Sequence, residues 1–548
     1  MSATSDTIPV LIVGSGPSGL AAALTLAHNR VHFRIVEKLT EFHETSRGSG
    51  VQSRTLEVFK FLGIMDDILS TGTALPPMRS YKLPGGTEVE HEWMMLDNPE
   101  ATPDRPCRNI MIDQYLTEGI MRKHLNERFG VQVELGTEPI SIEQDDNRVS
   151  LTLKKTAQDA KGTTETVKAQ FVIGADGAKG VMRKFIGATF EGENKDADGQ
   201  VWAECHAEGV TNEFWHIWAQ LDNFIISMRP KREKVNFHMG IVGQGWDPVD
   251  LVDPDKFVEF FYESVGRTDI KFSNMHTMTH WKPKMRMVNK FYEGRCFIVG
   301  DAAHIHSPTG DQGLVQDSFN LCWKLTLACK GYASPYLLAS FEAERIHVVA
   351  KMLATTSNLH THAVARASDA GANPNPDDPQ DTAGLSQRRT DPPRMLDVNY
   401  HWSPAVVDAR GTQGRSADAL KVHTYSGWGP ADGVCAGDRA FDIFRPTRHT
   451  VMVFVDGDAA RMAEVVETVN GCTPPGVANI VVIDSLGALT TVDGAAEACF
   501  DKDGCAARNY HIEAKVFTVV VVRPDGYVGA FVYDINELKE YFAKVVAV

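Results

Sequence analysis

The 548-residue sequence is poor in cysteine, with nine in all and no Cys-x-x-Cys pair anywhere. That excludes a dense disulfide framework and predicts free thiols, as in a reducing, cytoplasmic setting. Long apolar runs are missing too. The longest β-rich candidate, Val516 to Val522, is interrupted by Thr518 and ends at Arg523-Pro524, far short of the ~18 residues that cross a bilayer. The amino terminus has no basic start and no cleavable apolar region, so neither secretion nor a membrane role is expected. Basic blocks are equally scarce: 55 Lys+Arg stand against 71 Asp+Glu, a net charge of −16, which speaks against a nucleic-acid surface. No repeat of about 20–50 residues marks a solenoid or propeller.

What is present is the composition of a globular protein, 43% hydrophobic, 23% charged and 9% aromatic. At roughly 100–200 residues per domain the length predicts three or four domains or subdomains. Ile8 to Val13 is nearly all apolar and reads as a strand buried on both faces, as in a parallel sheet. A glycine turn follows, then an Ala- and Leu-rich helix from Ser18 to Asn29 and a strand from Val31 to Glu37, which together make a βαβ unit. Helices are expected at Arg54 to Leu62 and Gln114 to Phe129, with small-sheet strands within Val131 to Lys154.

From about Val201 to Lys284 the pattern changes to short aromatic-rich strands, among them Phe214 to Leu221, Phe224 to Met228 and Val235 to Val242, an inserted antiparallel layer. The compact basic cluster Arg229-Pro-Lys-Arg-Glu-Lys234 reads as a solvated hairpin tip rather than a phosphate site. Strand character returns at Cys296 to Val299, followed by a Gly/Asp/His/Pro-rich loop and a helix from about Val315 to Lys330. Residues Arg366 to Arg394 lack periodicity and form a surface excursion. The last hundred residues alternate strands and helices and read as a separate α/β domain.

Gly14-Ser-Gly-Pro-Ser-Gly19 fits G-x-G-x-x-G between a strand and a helix, with Glu37 closing the next strand. Gly14 and Gly16 permit the tight turn and close approach of a pyrophosphate, Gly19 lets helix and strand pack, and the helix start at Pro17 offers N–H groups to an anion from Ser18 onward. Glu37, followed by Lys38, would accept hydrogen bonds from an adenosine ribose. The motif by itself does not separate NAD from FAD.

Two more segments do. Phe171-Val-Ile-Gly-Ala-Asp-Gly177 with Val181-Met182-Arg183, and Arg295-Cys-Phe-Ile-Val-Gly-Asp-Ala-Ala-His304, resemble the fingerprints of flavin-dependent aromatic hydroxylases, in that family's order and spacing. Arg47-Gly-Ser-Gly-Val-Gln-Ser-Arg-Thr-Leu-Glu57 is similar to the R-G…R-T-L-E segment of the phenol hydroxylase branch, and Gly437-Asp438-Arg439 with Val522-Arg-Pro-Asp-Gly-Tyr527 resembles its C-terminal thioredoxin-like domain. The resemblance runs over nearly the whole chain. It implies a Rossmann-type, glutathione-reductase-like FAD-binding domain, an inserted mainly antiparallel β substrate domain and a C-terminal thioredoxin-like α/β domain. The corresponding ranges are 1–187 and 291–365 for the two FAD-binding segments, 188–290 for the substrate domain, 366–440 for a surface loop and linker, and 441–548 for the last domain.

The resemblance also implies roles. Arg47, Gly48 and Gln114 would contact the FAD diphosphate and adenosine side. Asp176, Gly177 and Arg183 would lie between flavin and nicotinamide routes, an exposed helix charge being the plainer reading of Arg183. Gly300 and Asp301 would approach the ribityl chain, and His304, Pro308, Gly310, Gly313 and Leu314 would line the flavin ring. His304-Ile-His306 has no third ligand nearby and is not read as a metal site. Trp281, Arg286, Ser49 and Pro308 would border the aromatic substrate, with core packing the other reading of Trp281. Cys499 and Cys505 lack the spacing for disulfide exchange, so the terminal domain would serve folding or dimer contact.

Three departures stand out. The stretch Gly310-Asp311-Gln312-Gly313-Leu314-Val315-Gln316-Asp317 is three residues shorter than the family's G-G-Q-G-x-N-x-G/S-x-x-D. Either the helix starts a turn later and restores contacts to the flavin, or FAD binds weakly. Ser49 and Trp281 stand where phenol hydroxylases carry an Asp and a Tyr that help ionise the phenol. Gly180 replaces a serine of D-G-x-x-S. The implied activity is an FAD-dependent, NADPH- or NADH-consuming monooxygenase in which O₂ forms a flavin C4a-hydroperoxide that hydroxylates a phenolic or electron-rich aromatic. Baeyer–Villiger or decarboxylative oxygenation, or a weakly flavin-binding non-catalytic relative, are the alternatives. The expected assembly is a homodimer.

Overall fold

The structure, a computed structural model, describes residues 7–547 apart from 45–47, 95–108, 157–161, 195–198, 221–222, 233–234, 244, 283, 307–312, 366–394, 411–419, 422–423, 425–433, 441–445, 456–458, 485–493, 496 and 514–515. The expected excursion at 366–394 thus lies outside the described residues. Among those described, no helix is long and apolar enough to cross a membrane.

Val10, Leu11 and Ile12 are wholly buried, and their strand, Thr7–Val13, runs parallel to Phe33–Val36 on one side and Thr164–Gly174 on the other. Cys296–Ile298 adds a further parallel strand beside Thr164–Gly174, so the second apolar segment completes the sheet begun by the first. The helix Pro17–His28 packs on this sheet and against Gly313–Cys329 and Gln114–Phe129. Small residues permit the close contact: Ala21, Ala22 and Ala23 are all fully buried.

The inserted layer is a seven-stranded sheet in the order Lys271–Trp281, Gly199–Glu208, Asn236–Gly243, Phe224–Pro230, Trp215–Gln220, Met78–Tyr81, Val89–Trp93. Its last two strands come from within residues 1–187, which corrects the expectation that this whole stretch builds the first segment of the nucleotide domain. The reason is side-chain burial. Tyr81 stacks on Trp218 at 5.1 Å and its hydroxyl lies 2.7 Å from His216 Nδ1, contacts that a four-residue strand finds only at this sheet edge.

Strand alternation gives this sheet two unlike faces. Val201, Ala203, Trp218, Ile226, Met228, Met239 and Ile241 point to one side and pack under the helix Pro254–Val265 through Phe257, Phe261 and Val265. The register places Gln200, Trp202, Glu204, Ser227, Arg229 and His238 on the other.

In the last unit, His449–Val455 and Ala478–Asp484 are parallel and joined by the helix Ala459–Cys472; Thr518–Val522 pairs antiparallel with His449–Val455, forms an antiparallel hairpin with Val528–Val532, and is followed by the helix Ile535–Val545. Asp534 and Glu537 form a capping box at the start of that final helix. The helix Gly313–Cys329 belongs to two cores at once: Phe319, Cys322 and Leu325 pack into the nucleotide domain, Trp323 and Leu327 into the last unit.

At this junction the buried groups are ionic. Glu344 is fully buried and accepts from Arg523 at 2.7 and 3.0 Å, from Lys324 at 2.8 Å, from Asn320 at 2.7 Å and from Ser403 at 2.6 Å. The cations hold its carboxyl well below the usual range, while burial pulls the Lys324 ammonium down to about 8. A buried pair broken on one side leaves an uncompensated charge, so Glu344→Gln is expected to cost ~3–5 kcal/mol in the first urea unfolding transition. His449 is fully buried with Nε2 lacking a partner, and burial lowers its imidazole to about 3. Between that value and the unfolded 6.5 the folded chain binds fewer protons, so acidification through this window removes up to ~1.4 kcal/mol per pH unit. In a pH series of urea midpoints, His449→Leu is expected to flatten that slope.

Candidate functional site

The glycine turn sits where three strands end. Gly14 has φ +103°, and a Cβ there would lie 2.2 Å from the Ala175 carbonyl oxygen; a Cβ on Gly19 would lie 2.0 Å from the Gly14 carbonyl oxygen. Those two glycines are demanded by the protein's own backbone. Gly16 is different: among the described residues no heavy atom lies within 4 Å of a Cβ built on it. It is the N-cap of Pro17–His28 and no described side chain caps the helix, so its first N–H groups, from Ser18 on, have no side-chain partner among the described residues. The Ser18 carbonyl is tied from below by Ser318 Oγ at 2.8 Å.

Glu37, at the tip of the adjoining strand, accepts from Ser15 N at 2.9 Å and Ser15 Oγ at 3.1 Å, with Leu39 N on its other oxygen at 3.1 Å. It therefore braces the turn as well as closing its rim. Lys38 is exposed beside it. On the other flank Gly48 accepts from the backbone N–H of Gln114 at 2.9 Å, and the Gln114 side chain donates to Glu118 at 2.8 Å. Arg47 lies outside the described residues.

Asp176 follows the central strand Thr164–Gly174. Its Oδ2 accepts from Val181 N at 2.6 Å and Met182 N at 2.9 Å, capping the short helix Met182–Phe185, while Oδ1 is buried with no partner. Burial pushes this carboxyl up against the pull of the two donors. The departure at Gly180 is explained here: a Cβ would fall 2.1 Å from the Asp176 carboxylate carbon. Gly177, at φ +75°, has open space around it. Arg183 is not an exposed helix charge. It is 9% exposed, donates to the Ala302 carbonyl at 3.0 Å and the Ala178 carbonyl at 2.8 Å, and lies 3.9 Å over the Phe190 ring. It locks the second motif to the third.

The third motif leaves Cys296–Ile298 through Gly300, at φ +61°, and a single 3-10 turn that exposes Asp301. Asp317 holds this turn from beneath: its Oδ2 accepts from Gly300 N at 3.0 Å and sits 2.7 Å from His304 Nε2, and its Oδ1 accepts from Arg345 Nε at 2.7 Å. The His304 ring is fully buried and bonded to Asp317, so it supports the loop from inside. Pro308 and Gly310 lie outside the described residues. The helix begins at Gly313 itself, followed by Leu314.

The polar face of the inserted sheet meets this rim. Arg229 donates to Ser49 Oγ at 2.7 Å, and Lys231 joins Asp113 at 2.9 Å and Glu204 at 2.7 Å. Two residues of the basic cluster are thus not part of a solvated hairpin tip: Arg229 is 5% exposed, and Arg229 and Lys231 fasten the sheet to the segments at Ser49 and Asp113, while Arg232 is exposed. Strand alternation carried the missed signal, because Phe224, Ile226 and Met228 point into the core and so send Ser227 and Arg229 to the other side. Trp281 is half-buried opposite Gln200 on that same face, not in the sheet's core. Arg286 lies on Lys284–Val288, opposite Ile305 of the third motif and Gly192, near enough to Arg183 to help depress it.

An uncapped helix start over an open glycine, a carboxylate at the next strand end and a third strand delivering an exposed Asp form a cradle for a dinucleotide. A family profile described as "FAD binding domain" matches residues 7–356. The chain belongs to this FAD binding domain family. Among curated relatives it is 28% identical to a flavin-dependent monooxygenase of Mycobacteroides abscessus, covering 98% of this chain and 100% of that one. It is 29% identical to pentachlorophenol 4-monooxygenase of Sphingobium chlorophenolicum over 64% of each chain, and 30% identical to phenol 2-monooxygenase of a Pseudomonas species over 64% of this chain and 58% of the other. The match thus spans the whole of the first relative and less than two thirds of the other two. In fold it is similar to the flavin-dependent monooxygenase PieE, solved with FAD and substrate, at a TM-score of 0.79, 23% identity and 99% coverage of both chains. Aklavinone-11 hydroxylase, solved with FAD and aklavinone, superposes at 0.75 with 20% identity and 99% coverage of both.

The residues of this family member fit FAD. Gly16 and the N–H groups after it leave room and donors for a pyrophosphate, and Glu37 and Asp301 offer carboxylates at the two ends. A side chain at Gly16 meets no protein atom but enters the space an anion needs. Gly16→Val is therefore expected to keep the wild-type melting temperature of the flavin-free chain and to weaken FAD binding at least about tenfold, read by flavin fluorescence quenching. Gly19→Val, which meets backbone, is expected to lower the melting temperature itself.

Proposed function

We propose that this chain is an FAD-dependent, NADPH- or NADH-consuming monooxygenase that hydroxylates a phenolic or other electron-rich aromatic compound. The observation that carries the reading is the junction of two surfaces: the open glycine turn of the nucleotide domain and the polar, tryptophan-bearing face of the inserted sheet, fastened together at Ser49 and Arg229. The relatives named for phenol and pentachlorophenol support the substrate class.

Bound FAD supplies the chemistry of taking electrons from the nicotinamide nucleotide and passing them to O₂ so that one oxygen atom reaches the ring. The chain does the rest. Gly16 and the N–H groups after it admit the pyrophosphate, Gly14 and Gly19 shape the turn that presents them, Glu37 takes the ribose side, Gln114 flanks the diphosphate, and Asp301 the ribityl side. Arg183 and Asp317 fix the loops that carry these groups. Ser49, Trp281 and Arg286 border the aromatic substrate, and the inserted sheet covers it and keeps water out.

In this reading residues 1–187, less the two strands given to the inserted sheet, and 291–365 form the FAD-binding domain, 188–290 the substrate layer and 441–548 a thioredoxin-like unit. A βαβ unit followed by a ββα unit, with the first hairpin strand antiparallel to His449–Val455, supports the last assignment. The absence of a Cys-x-x-Cys pair suits a structural or dimer-forming role in the cytoplasm rather than disulfide exchange.

A panel of phenols is expected to stimulate NADPH oxidation by the FAD-loaded protein, with a product heavier by one oxygen on a ring carbon. A ring-expanded lactone or loss of a carboxylate would instead assign Baeyer–Villiger or decarboxylative oxygenation. No flavin uptake in the presence of excess FAD would overturn the enzyme reading altogether.

A further inference from the structure

Trp202 lies on the face of the inserted sheet that is turned toward Ser49. The tryptophan of the apolar core beneath the sheet is Trp218, wholly buried; Trp202 is half-buried on the opposite face. What fixes its ring is a glycine. Register pairs Trp202 with Gly240 on the neighbouring strand, and a Cβ at Gly240 would stand 2.3 Å from Trp202 Cζ3, 2.6 Å from Cε3 and 2.7 Å from Cη2. A point closest to one ring atom and almost as close to the two atoms bonded to it lies above the ring, not beyond its edge. The indole is therefore laid flat on the bare backbone of the next strand.

The backbone itself does not ask for glycine there. Gly240 sits inside Asn236–Gly243 without a positive φ, and a glycine within a strand weakens the sheet unless something has to come close to the backbone. Gln200 Oε1 accepts from Trp202 Nε1 at 3.2 Å, which satisfies the ring's donor and fixes its direction, and the His238 ring lies near-parallel to the indole at 5.1 Å and 12°. A side chain has been given up at position 240 to hold a flat aromatic surface, one side against the sheet and the other turned away from it.

The same face carries Trp281, across from Gln200, and Trp215, whose Nε1 donates to Ser227 Oγ at 3.3 Å; both are half-buried. Trp281, Trp202, Gly240, Ser227 and Trp215 stand on five adjacent strands, and four gaps of ~4.8 Å make a strip ~19 Å wide. Ile225 and Val242, paired with each other and half-buried, add apolar surface along it. A single benzene ring covers only a small part of such a strip.

We propose that Trp202, laid flat by Gly240, is a stacking floor for a second ring of the substrate, so that the chain selects flat aromatics of two or more rings over single-ring phenols. The proposal deepens the monooxygenase reading and rests on it for the word substrate. Aromatic rings stack in parallel-offset arrangements, and an indole already pinned by Gln200 and the strand beneath it loses little further freedom when a ring arrives. Such a floor rewards flatness as well as apolar area. A single-ring phenol made equally apolar by a bulky alkyl group does not gain the contact.

Calorimetric titration of the FAD-loaded protein and of its flavin-free form with 2-naphthol and with 4-tert-butylphenol tests this, since the second is no less apolar but is not flat. 2-Naphthol is expected to bind at least about tenfold more tightly. Trp202→Leu is expected to bring the ratio of the two dissociation constants close to one, and Trp202→Phe to keep part of it. Gly240→Ala, whose methyl group must lift the indole off the strand, is expected to lower the ratio too, although it removes no aromatic group. If Trp202→Leu does not fold, Trp202→Phe and Gly240→Ala carry the comparison. Equal binding of the two compounds by the wild type overturns the proposal, as does a ratio left unchanged by Trp202→Leu or by Gly240→Ala. Oxygenation of both compounds at equal affinity would leave the monooxygenase reading standing and remove the floor; Trp202-dependent binding of 2-naphthol without oxygenation would do the reverse.

Discussion

Glu344 is the carboxylate on which the assembly of the molecule turns. It sits in the helix Ala339–Ala365, with no exposure to solvent, and gathers Lys324 from the shared helix, Arg523 from the terminal hairpin and Ser403 from the connecting segment. From Arg523 the chain of contacts passes to Asp525, whose carbonyl accepts from Arg54; Arg54 pairs with Glu57, and Glu57 with Arg439. Three short motifs, the first hundreds of residues before the other two, therefore share one buried junction. In a medium of low dielectric such a network holds only if each member is satisfied, so the three cannot drift independently. The terminal unit is built into the nucleotide domain rather than appended to it.

The same junction reaches the cofactor cradle. Arg345, the neighbour of Glu344, holds Asp317 and also donates to the Tyr400 hydroxyl at 3.0 Å, while Asp317 holds both Gly300 and His304. The turn that presents Asp301 is thus supported by groups that are themselves fixed by the terminal unit. Rigid support of this kind matters at a site whose work is to position a cofactor, since small displacements there weaken every contact made in common. Arg183 performs the matching task from the other side, through the Ala302 carbonyl.

Much of this was readable in the residue order, for identifiable reasons. Strands such as Thr7–Val13 and helices such as Gln114–Phe129 fall where apolar periodicity and glycine punctuation place them, because local pattern and tertiary burial agree there. The glycine turn was legible because backbone crowding at Gly14 and Gly19 admits no side chain. What escaped were residues whose role comes from a distant partner. Arg229 and Arg183 look like surface charges until the sheet and the third motif close over them. Met78–Tyr81 and Val89–Trp93 precede the inserted layer in sequence by more than a hundred residues, and only the stacking of Tyr81 on Trp218 reveals where they belong. His304 was legible as part of a flavin loop, but its inward turn depends on Asp317 one helical segment later.

The two-faced sheet also says something about how such a protein can change over generations. Along Phe224–Pro230 the residues that hold the core and those on the polar face turned toward Ser49 alternate one by one. Substitution at 225, 227 or 229 can therefore change the polar face while 224, 226 and 228 continue to hold the layer together. The insertion of a single residue would exchange the two sets and ruin both. Variation of this scaffold is open through point replacement, and closed through changes in strand length.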